Sequence, residues 1–227
     1  MQIDIKRWGA ELTDKLLGVY GGGLLFVGLQ GSYGREEATQ SSDIDVVVIL
    51  KALTVAGLDR YRAVIAEMPY GERACGFISG ERELLSWTHS ELFLLYFDTV
   101  PLYGSLGFLS RLFDEGAAAK AVRDGACSIY HGCCHNYLYE KSEDTLEALC
   151  KSAFFVLRAK YFCESGLYVK KMTELAGLLC GGDRAVLDLW ASLRHDGQGA
   201  VDFRAASERL ISWSSEVISE YLSLIHI

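Results

Sequence analysis

Two aspartates at the start of an apolar run are the residues of this sequence most suited to chemistry. Asp43 and Asp45 begin the segment DIDVVVIL, which is otherwise entirely apolar. Because side chains alternate along a strand, both carboxylates are expected on one face, which Val47 and Ile49 continue. Neighbouring carboxylates repel each other unless a cation compensates, and Mg²⁺ takes one or two carboxylates together with water and phosphate oxygens. The spacing therefore predicts a magnesium site at the mouth of a buried strand.

A glycine–serine pair, Gly31 and Ser32, lies just upstream of the aspartates. Glycine lets the backbone approach a ligand closely, and a serine beside unpaired backbone N–H groups suits a phosphate. Arg35 follows within one turn and is expected to neutralise phosphate charge. A phosphate-binding turn beside a metal-binding carboxylate pair is the layout of phosphoryl transfer.

The stretch GSYGREEATQSSDID resembles the signature of the DNA polymerase β-type nucleotidyltransferase superfamily. The resemblance lies in Gly-Ser, an arginine three residues on, and Ser-Asp-x-Asp at this separation. Within that superfamily the chain is similar to small bacterial proteins that join such a domain to a helical domain. They include antibiotic nucleotidyltransferases and minimal nucleotidyltransferase antitoxins. The glycine that usually follows the arginine is Glu36 here, which is expected to alter the turn without removing metal binding.

The resemblance implies a metal-dependent nucleotidyltransferase. A nucleoside monophosphate would move from ATP or another NTP to a hydroxyl of a small molecule or protein, with release of pyrophosphate. Asp43 and Asp45 would hold Mg²⁺, with two ions expected, and Gly31 and Ser32 would hold the triphosphate. The alternative is a catalytically weak or inactive nucleotide-binding regulatory module, antitoxin-like, that acts through a protein partner.

The family often has a third carboxylate on a neighbouring strand, as metal ligand or general base. Two residues are candidates here: Glu72 at the start of the third predicted strand, and Asp98 at the end of the fourth. Strand position favours Glu72 slightly. As ordinary residues, Glu72 would be a solvated loop acid and Asp98 a turn residue. Lys171, near a helix start in the second half, is a candidate phosphate contact, although most such lysines lie on a solvated face.

Hydrophobic periodicity predicts the elements that position these residues. The first half reads as strands with helices between them, and after about residue 105 a 3.6-residue period takes over. The predicted strands are 24–30, 43–50, 73–80 and 91–104. The predicted helices are 2–20, 58–68, 81–87, 116–139, one along 146–161, 168–180, 183–194 and 203–221.

These patterns predict an α+β protein. Residues 1–104 would form a nucleotidyltransferase domain, a small mixed sheet flanked by helices. Residues 105–221 would form an all-α helical-bundle domain for substrate or partner binding. The last six residues, 222–227, are expected to be a non-native tail, since they read like a translated sequencing adapter.

Composition narrows the functional classes. The chain has 227 residues, half of them apolar, which suffices for a real core. A net charge of −8 disfavours nucleic acid and anionic membranes as partners, and the apolar runs are far too short to span a bilayer. Seven cysteines, an odd number, and no signal-peptide pattern favour reduced thiols and a cytoplasmic location. A zinc site at Cys127, His131, Cys134 and His135 is the weaker alternative to core packing of cysteine.

Overall fold

A four-stranded mixed sheet organises the first half of the chain. The computed structural model describes residues 3–113, 115–194 and 202–222. Its sheet has the order β3-β2-β1-β4, where β1 is antiparallel to β2 and β4, and β2 is parallel to β3. The strands are β1 (Leu24–Leu29), β2 (Ile44–Leu50), β3 (Ala74–Gly80) and β4 (Val100–Gly104). The mixed sheet confirms the predicted α+β class for this half.

Five helices accompany the sheet. They are α1 (Ile5–Tyr20), α2 (Gly31–Gly34), α3 (Val55–Ala66), α4 (Glu81–Leu85) and α5 (His89–Asp98). The first of them begins where the Asp4 carboxylate accepts a hydrogen bond from the Arg7 backbone N–H, at 3.1 Å. It ends at Gly21, whose φ of 51° is unfavourable for other residues.

Strand β2 is buried on both faces, and the alternation of its side chains separates two apolar clusters. Val46 and Val48 join the cluster that includes Leu12 of α1 and Val64 of α3. The other face carries a cluster of Phe26, Val47, Ile49, Leu84, Leu92, Leu106 and Leu109. The predicted split between the two faces of this strand is therefore confirmed.

The predicted fourth strand was wrong over most of its length. Residues 91–98 are part of α5, and the strand is confined to Val100–Gly104. A short apolar run does not distinguish a buried strand from a buried helix by its period. Here Leu92 and Phe93 are buried in helical conformation. As a result Asp98 is the last residue of a helix, not the end of a strand.

The chain divides into two compact units, Met1–Phe113 and Asp114–Ile227. The second contains α6 (Glu115–His135), a π-helical turn (Asn136–Glu140), α7 (Glu143–Ser165), α8 (Met172–Leu178), α9 (Gly181–Arg194) and α10 (Phe203–Glu220). Within it, α6 packs on α7 and α10, and α9 packs on the same two helices. This helical unit confirms the all-α second half, while the boundary at 104/105 and the roles of the two domains stay predictions.

An ion-pair network connects three helices of the second unit. The Lys160 ammonium on α7 donates to the Asp183 carboxylate on α9 at 2.8 Å. The same carboxylate accepts from the Trp213 indole N–H of α10 at 2.7 Å. Nearby, the buried Arg158 guanidinium lies over the rings of Phe154 and Phe155, at 4.6 and 4.7 Å from their centroids.

None of the helices in residues 3–113, 115–194 and 202–222 is long and apolar enough to cross a bilayer.

Candidate active site

The two predicted metal ligands lie at the start of β2. Asp43 is exposed and precedes the strand, and Asp45 is its second residue, with a half-buried side chain. The backbone N–H of Gln30, just beyond β1, donates to the Asp45 carbonyl at 2.8 Å. This bond holds the end of one strand against the start of the next. The turn that follows β1 is thereby placed beside the aspartates.

Gly31 places that turn in contact with the Asp45 carboxylate. Its φ is 62°, and a Cβ built on it would overlap Asp45 Oδ2. Only glycine combines this conformation with such a close approach. Ser32 follows in α2 and is half-buried. The structure thus brings together Gly31, Ser32 and Asp45, the residues predicted to bind phosphate and metal.

Arg73 holds the segment that leads into the aspartates. Its guanidinium donates to the Ser42 carbonyl, through Nε at 3.1 Å and through a second, shorter bond, and it reaches the Tyr33 hydroxyl at 3.4 Å. It therefore connects the start of β3 both to α2 and to the residue before Asp43. Sequence reasoning missed this residue, because its contacts join segments far apart in the chain.

Cys75 was also missed, and it lies directly beside Asp45. The parallel register of β2 and β3 places the two residues opposite each other. The exposed Cys75 thiol donates to Asp45 Oδ1 at 3.3 Å. Burial raises the pKa of the nearby Tyr61 phenol to about 12, with smaller contributions from Tyr20 and Cys75. No sequence signal gives this contact, since it depends on strand register.

Asp98 and Arg35 face each other in the interior of the same unit. Their side chains are each 7% exposed, and Arg35 Nη1 lies 3.8 Å from Asp98 Oδ2. The Arg35 Nε also donates to Glu37 Oε2 at 3.2 Å. The two residues predicted to act on phosphate and on metal therefore form an ion pair in this structure. Their predicted functional roles stay predictions.

The other predicted site residues lie elsewhere. Glu72 is exposed and lies in a 3₁₀ turn (Gly71–Arg73) directly before β3. Lys171 is half-buried and caps α8 in the second unit. Neither position tests the proposed roles in catalysis and phosphate binding.

The donors at the mouth of β2 are those a hard divalent cation prefers. Asp43 and Asp45 offer carboxylate oxygens. Because Gly31 has no Cβ, its backbone can lie close to one of the Asp45 oxygens. Across the residues that the structure describes, no group of three or more His, Cys, Asp or Glu is arranged to hold a metal ion. That result leaves the zinc alternative in α6 without support.

Comparison with known proteins identifies the first unit. Residues 21–87 match the family model described as nucleotidyltransferase domain. The matched range contains Gly31, Ser32, Arg35, Asp43 and Asp45, whereas Asp98 and Lys171 lie outside it. The predicted family resemblance is confirmed over residues 21–87, and with it the transferase class of enzyme. No curated protein matches the chain significantly.

Solved structures support the fold of the chain. A spectinomycin adenyltransferase, AAD(9) from Enterococcus faecialis, solved with ATP and spectinomycin, superposes with a TM-score of 0.56. It is 14% identical, and the match covers 94% of this chain and 98% of that one. A nucleotidyltransferase-like protein from Exiguobacterium sibiricum is 11% identical, with coverage of 93% and 75% and a TM-score of only 0.36. At such identity the first match shows a shared fold, and the second is too weak to support an argument.

Proposed function

We propose that this chain, a transferase whose residues 21–87 form a nucleotidyltransferase domain, transfers a nucleoside monophosphate from an NTP to a hydroxyl of a small molecule. The reaction would depend on Mg²⁺, with two ions bound and ATP as the first candidate donor. Asp43 and Asp45 would hold the metal, and Gly31 and Ser32 would hold the triphosphate.

One contact carries the proposal: the Gly31 backbone lies against the Asp45 carboxylate. A triphosphate held by the turn would therefore lie next to a cation held by the aspartate. Nucleotidyl transfer needs this adjacency, because the cation must neutralise the charge that the phosphates develop in the transition state.

The chain's residues have separate tasks in this mechanism. Bound Mg²⁺ would supply Lewis-acid stabilisation of the phosphate oxygens. Asp43 and Asp45 would hold the cation, while Gly31 and Ser32 would bind the triphosphate and restrict its rotation. The acceptor oxygen then forms a bond to the α-phosphorus, the bond from that phosphorus to the bridging oxygen breaks, and pyrophosphate leaves. The acceptor proton is lost to solvent or to a carboxylate, and the alignment of these groups contributes much of the rate.

The surroundings of the two candidates for the third carboxylate support a second possible function. Asp98 is paired with Arg35, Glu72 is exposed outside the sheet, and the position beside Asp45 on β3 is a thiol. A site without a carboxylate base would bind nucleotide and transfer it slowly. The protein would then be a nucleotide-binding regulatory module that acts through a protein partner.

Acceptor choice is tested with a panel of small molecules. The net charge of −8 attracts cations, so aminocyclitols and aminoglycosides are included beside neutral polyols. Labelled NTPs and Mg²⁺ are incubated with each acceptor, and labelled product is separated from donor. We expect transfer from ATP to at least one amine-bearing polyol.

The decisive control is Asp43→Asn/Asp45→Asn, compared with Glu11→Gln/Asp14→Asn, which removes the same charge from exposed positions of α1. The site variant is expected to lose roughly a thousandfold in rate, since several kcal/mol of stabilisation would be removed. Undiminished transfer by that variant would refute the mechanism. Donor binding without transfer to any acceptor would support the regulatory module instead.

A further inference from the structure

Arg73 connects the two segments that form the candidate site, and the backbone before it constrains its place. Tyr70 has a φ of 61°, a conformation that side chains other than glycine rarely adopt. The next residue, Gly71, lies so close to the Ile65 carbonyl that a Cβ built on it would overlap that oxygen. These two residues direct the chain into the turn that ends at Arg73, directly before β3.

The Arg73 guanidinium donates to neutral acceptors on both segments. Nε and Nη2 both donate to the Ser42 carbonyl, the first at 3.1 Å, and Nη2 lies 3.4 Å from the Tyr33 hydroxyl. Ser42 is the residue before Asp43, and the buried Tyr33 follows Ser32 in α2. One side chain therefore bridges the predicted cation ligands and the turn predicted to hold the triphosphate.

The segment that Arg73 contacts contains no helix or strand between α2 and β2. It ends in a turn in which the Ser42 N–H donates to the Thr39 carbonyl at 3.2 Å, and the Thr39 N–H donates to the Ser42 hydroxyl at 2.8 Å. Ordering such a segment costs conformational entropy, which contacts from outside the segment must offset. Arginine suits this task better than lysine, because its donors form a rigid planar fork.

We propose that Arg73 is a positioning residue for nucleotidyl transfer. It holds the turn of Gly31 and Ser32 and the segment before Asp43 in one arrangement, so that triphosphate and cation bind together. Groups held in the productive geometry before the substrate arrives contribute most to the rate. Arg73 forms and breaks no bond in the reaction. The inference rests on the proposed function for the identity of the ligands, but not for the ordering of the segment.

Hydrogen exchange of backbone amides tests the ordering in the full chain without nucleotide. Arg73→Met is compared with Arg62→Met, a matched control because Arg62 is an exposed arginine of α3 that pairs only with the exposed Asp59 in the described residues. We expect the amides of residues 36–43 to exchange at least about tenfold faster in Arg73→Met, while those of α1 keep their wild-type rates. Equal exchange of residues 36–43 in the two variants would overturn the inference.

Calorimetric titration of a non-hydrolysable ATP analogue, with and without Mg²⁺, tests the joint binding of the two ligands. The gain in affinity that Mg²⁺ provides should fall at least about fivefold in Arg73→Met and in Arg73→Lys, since lysine keeps the charge but loses the fork. Arg62→Met should match wild type. A wild-type gain in Arg73→Lys despite fast exchange of residues 36–43 would show that Arg73 acts through its charge, which also overturns the inference.

The two measurements separate this inference from the proposed function. If wild type does not bind the analogue with Mg²⁺, the proposed function fails, while the exchange rates of Arg73→Met still decide whether Arg73 orders the segment before Asp43. If wild type binds the analogue and Arg73→Met shows wild-type exchange and a wild-type gain from Mg²⁺, the proposed function stands and the positioning role is refuted.

Discussion

Two aspartates of the first unit have opposite surroundings. Asp45, on the β2–β3 flank of the sheet, lies between a glycine backbone and a thiol, both uncharged. Asp98, at the end of α5 beside the β1–β4 flank, is buried and faces the Arg35 guanidinium. A buried carboxylate needs a charged partner to offset its desolvation, whereas a half-buried carboxylate is partly solvated and does not require one.

We infer from this contrast that Asp98 is mainly structural and that Asp45 is available to bind a ligand. A residue type alone does not decide this, because both acids precede or end apolar segments in the sequence. Their neighbours decide it. We therefore expect loss of the charged Arg35–Asp98 pair to lower stability, and loss of the Asp45 charge to lower function with little effect on stability.

The largest expected effect follows from removal of the buried cation. Arg35→Met leaves Asp98 buried without its guanidinium, and should lower the free energy of unfolding by about 3–5 kcal/mol. Urea denaturation followed by circular dichroism measures the change. The double variant Arg35→Met/Asp98→Leu should recover much of the loss, because it removes the uncompensated charge. A single variant as stable as wild type would contradict the division between the flanks.

Gly31→Ala tests the contact on the other flank. The alanine must adopt a positive φ and its Cβ must displace the Asp45 carboxylate, which should cost about 1–3 kcal/mol and abolish cation-dependent nucleotide binding. Gly22→Ala is the control, since that glycine is exposed and its Cβ would meet nothing within 4 Å. Thermal unfolding and nucleotide titration are measured for both. Equal behaviour of the two variants would show that the turn does not depend on Gly31.

Glu36→Gly is expected to stabilise the protein. Glu36 has a φ of 61°, where glycine is favoured, so the substitution should raise the free energy of unfolding by about 0.5–1 kcal/mol. In contrast, Glu67→Gly at the end of α3, where φ is −88°, should give no such gain. Chemical denaturation of the two variants separates relief of strain from loss of a charge. A gain in the second variant alone would refute the explanation.

The smallest expected change in stability belongs to Asp45→Asn. The amide oxygen can still accept from Cys75, and no buried charge loses its partner, so the free energy of unfolding should change by less than about 0.5 kcal/mol. The variant should nevertheless lose Mg²⁺-dependent nucleotide binding. Calorimetric unfolding beside nucleotide titration tests both statements. A strongly destabilised Asp45→Asn variant would show that Asp45 has a structural role.

Patterns within one continuous segment predicted much of this site. Contacts between segments far apart in the chain could not be predicted in this way. The alternation of β2 and the spacing of Gly31, Asp43 and Asp45 are features of one continuous segment, and the structure brings Gly31 and Asp45 together. Glu36, which stands where the resemblance expects glycine, has a positive φ, while the expected change in the turn stays a prediction.

The errors and omissions lie where distant segments meet. Cys75 is beside Asp45 because of a strand register that neither segment encodes alone. The Arg35–Asp98 pair joins α5 to the turn after β1. Helix α5 was predicted as a strand because its apolar run is short and tertiary packing decides its conformation.

The most direct test of the central claim is calorimetric titration of a non-hydrolysable ATP analogue into the protein, with and without Mg²⁺. We predict that wild type binds the analogue only with the cation. Asp43→Asn/Asp45→Asn should bind it at least about tenfold more weakly, while Glu11→Gln/Asp14→Asn matches wild type. Equal affinity of wild type and Asp43→Asn/Asp45→Asn in the presence of Mg²⁺ would contradict the assignment of these aspartates as the cation site.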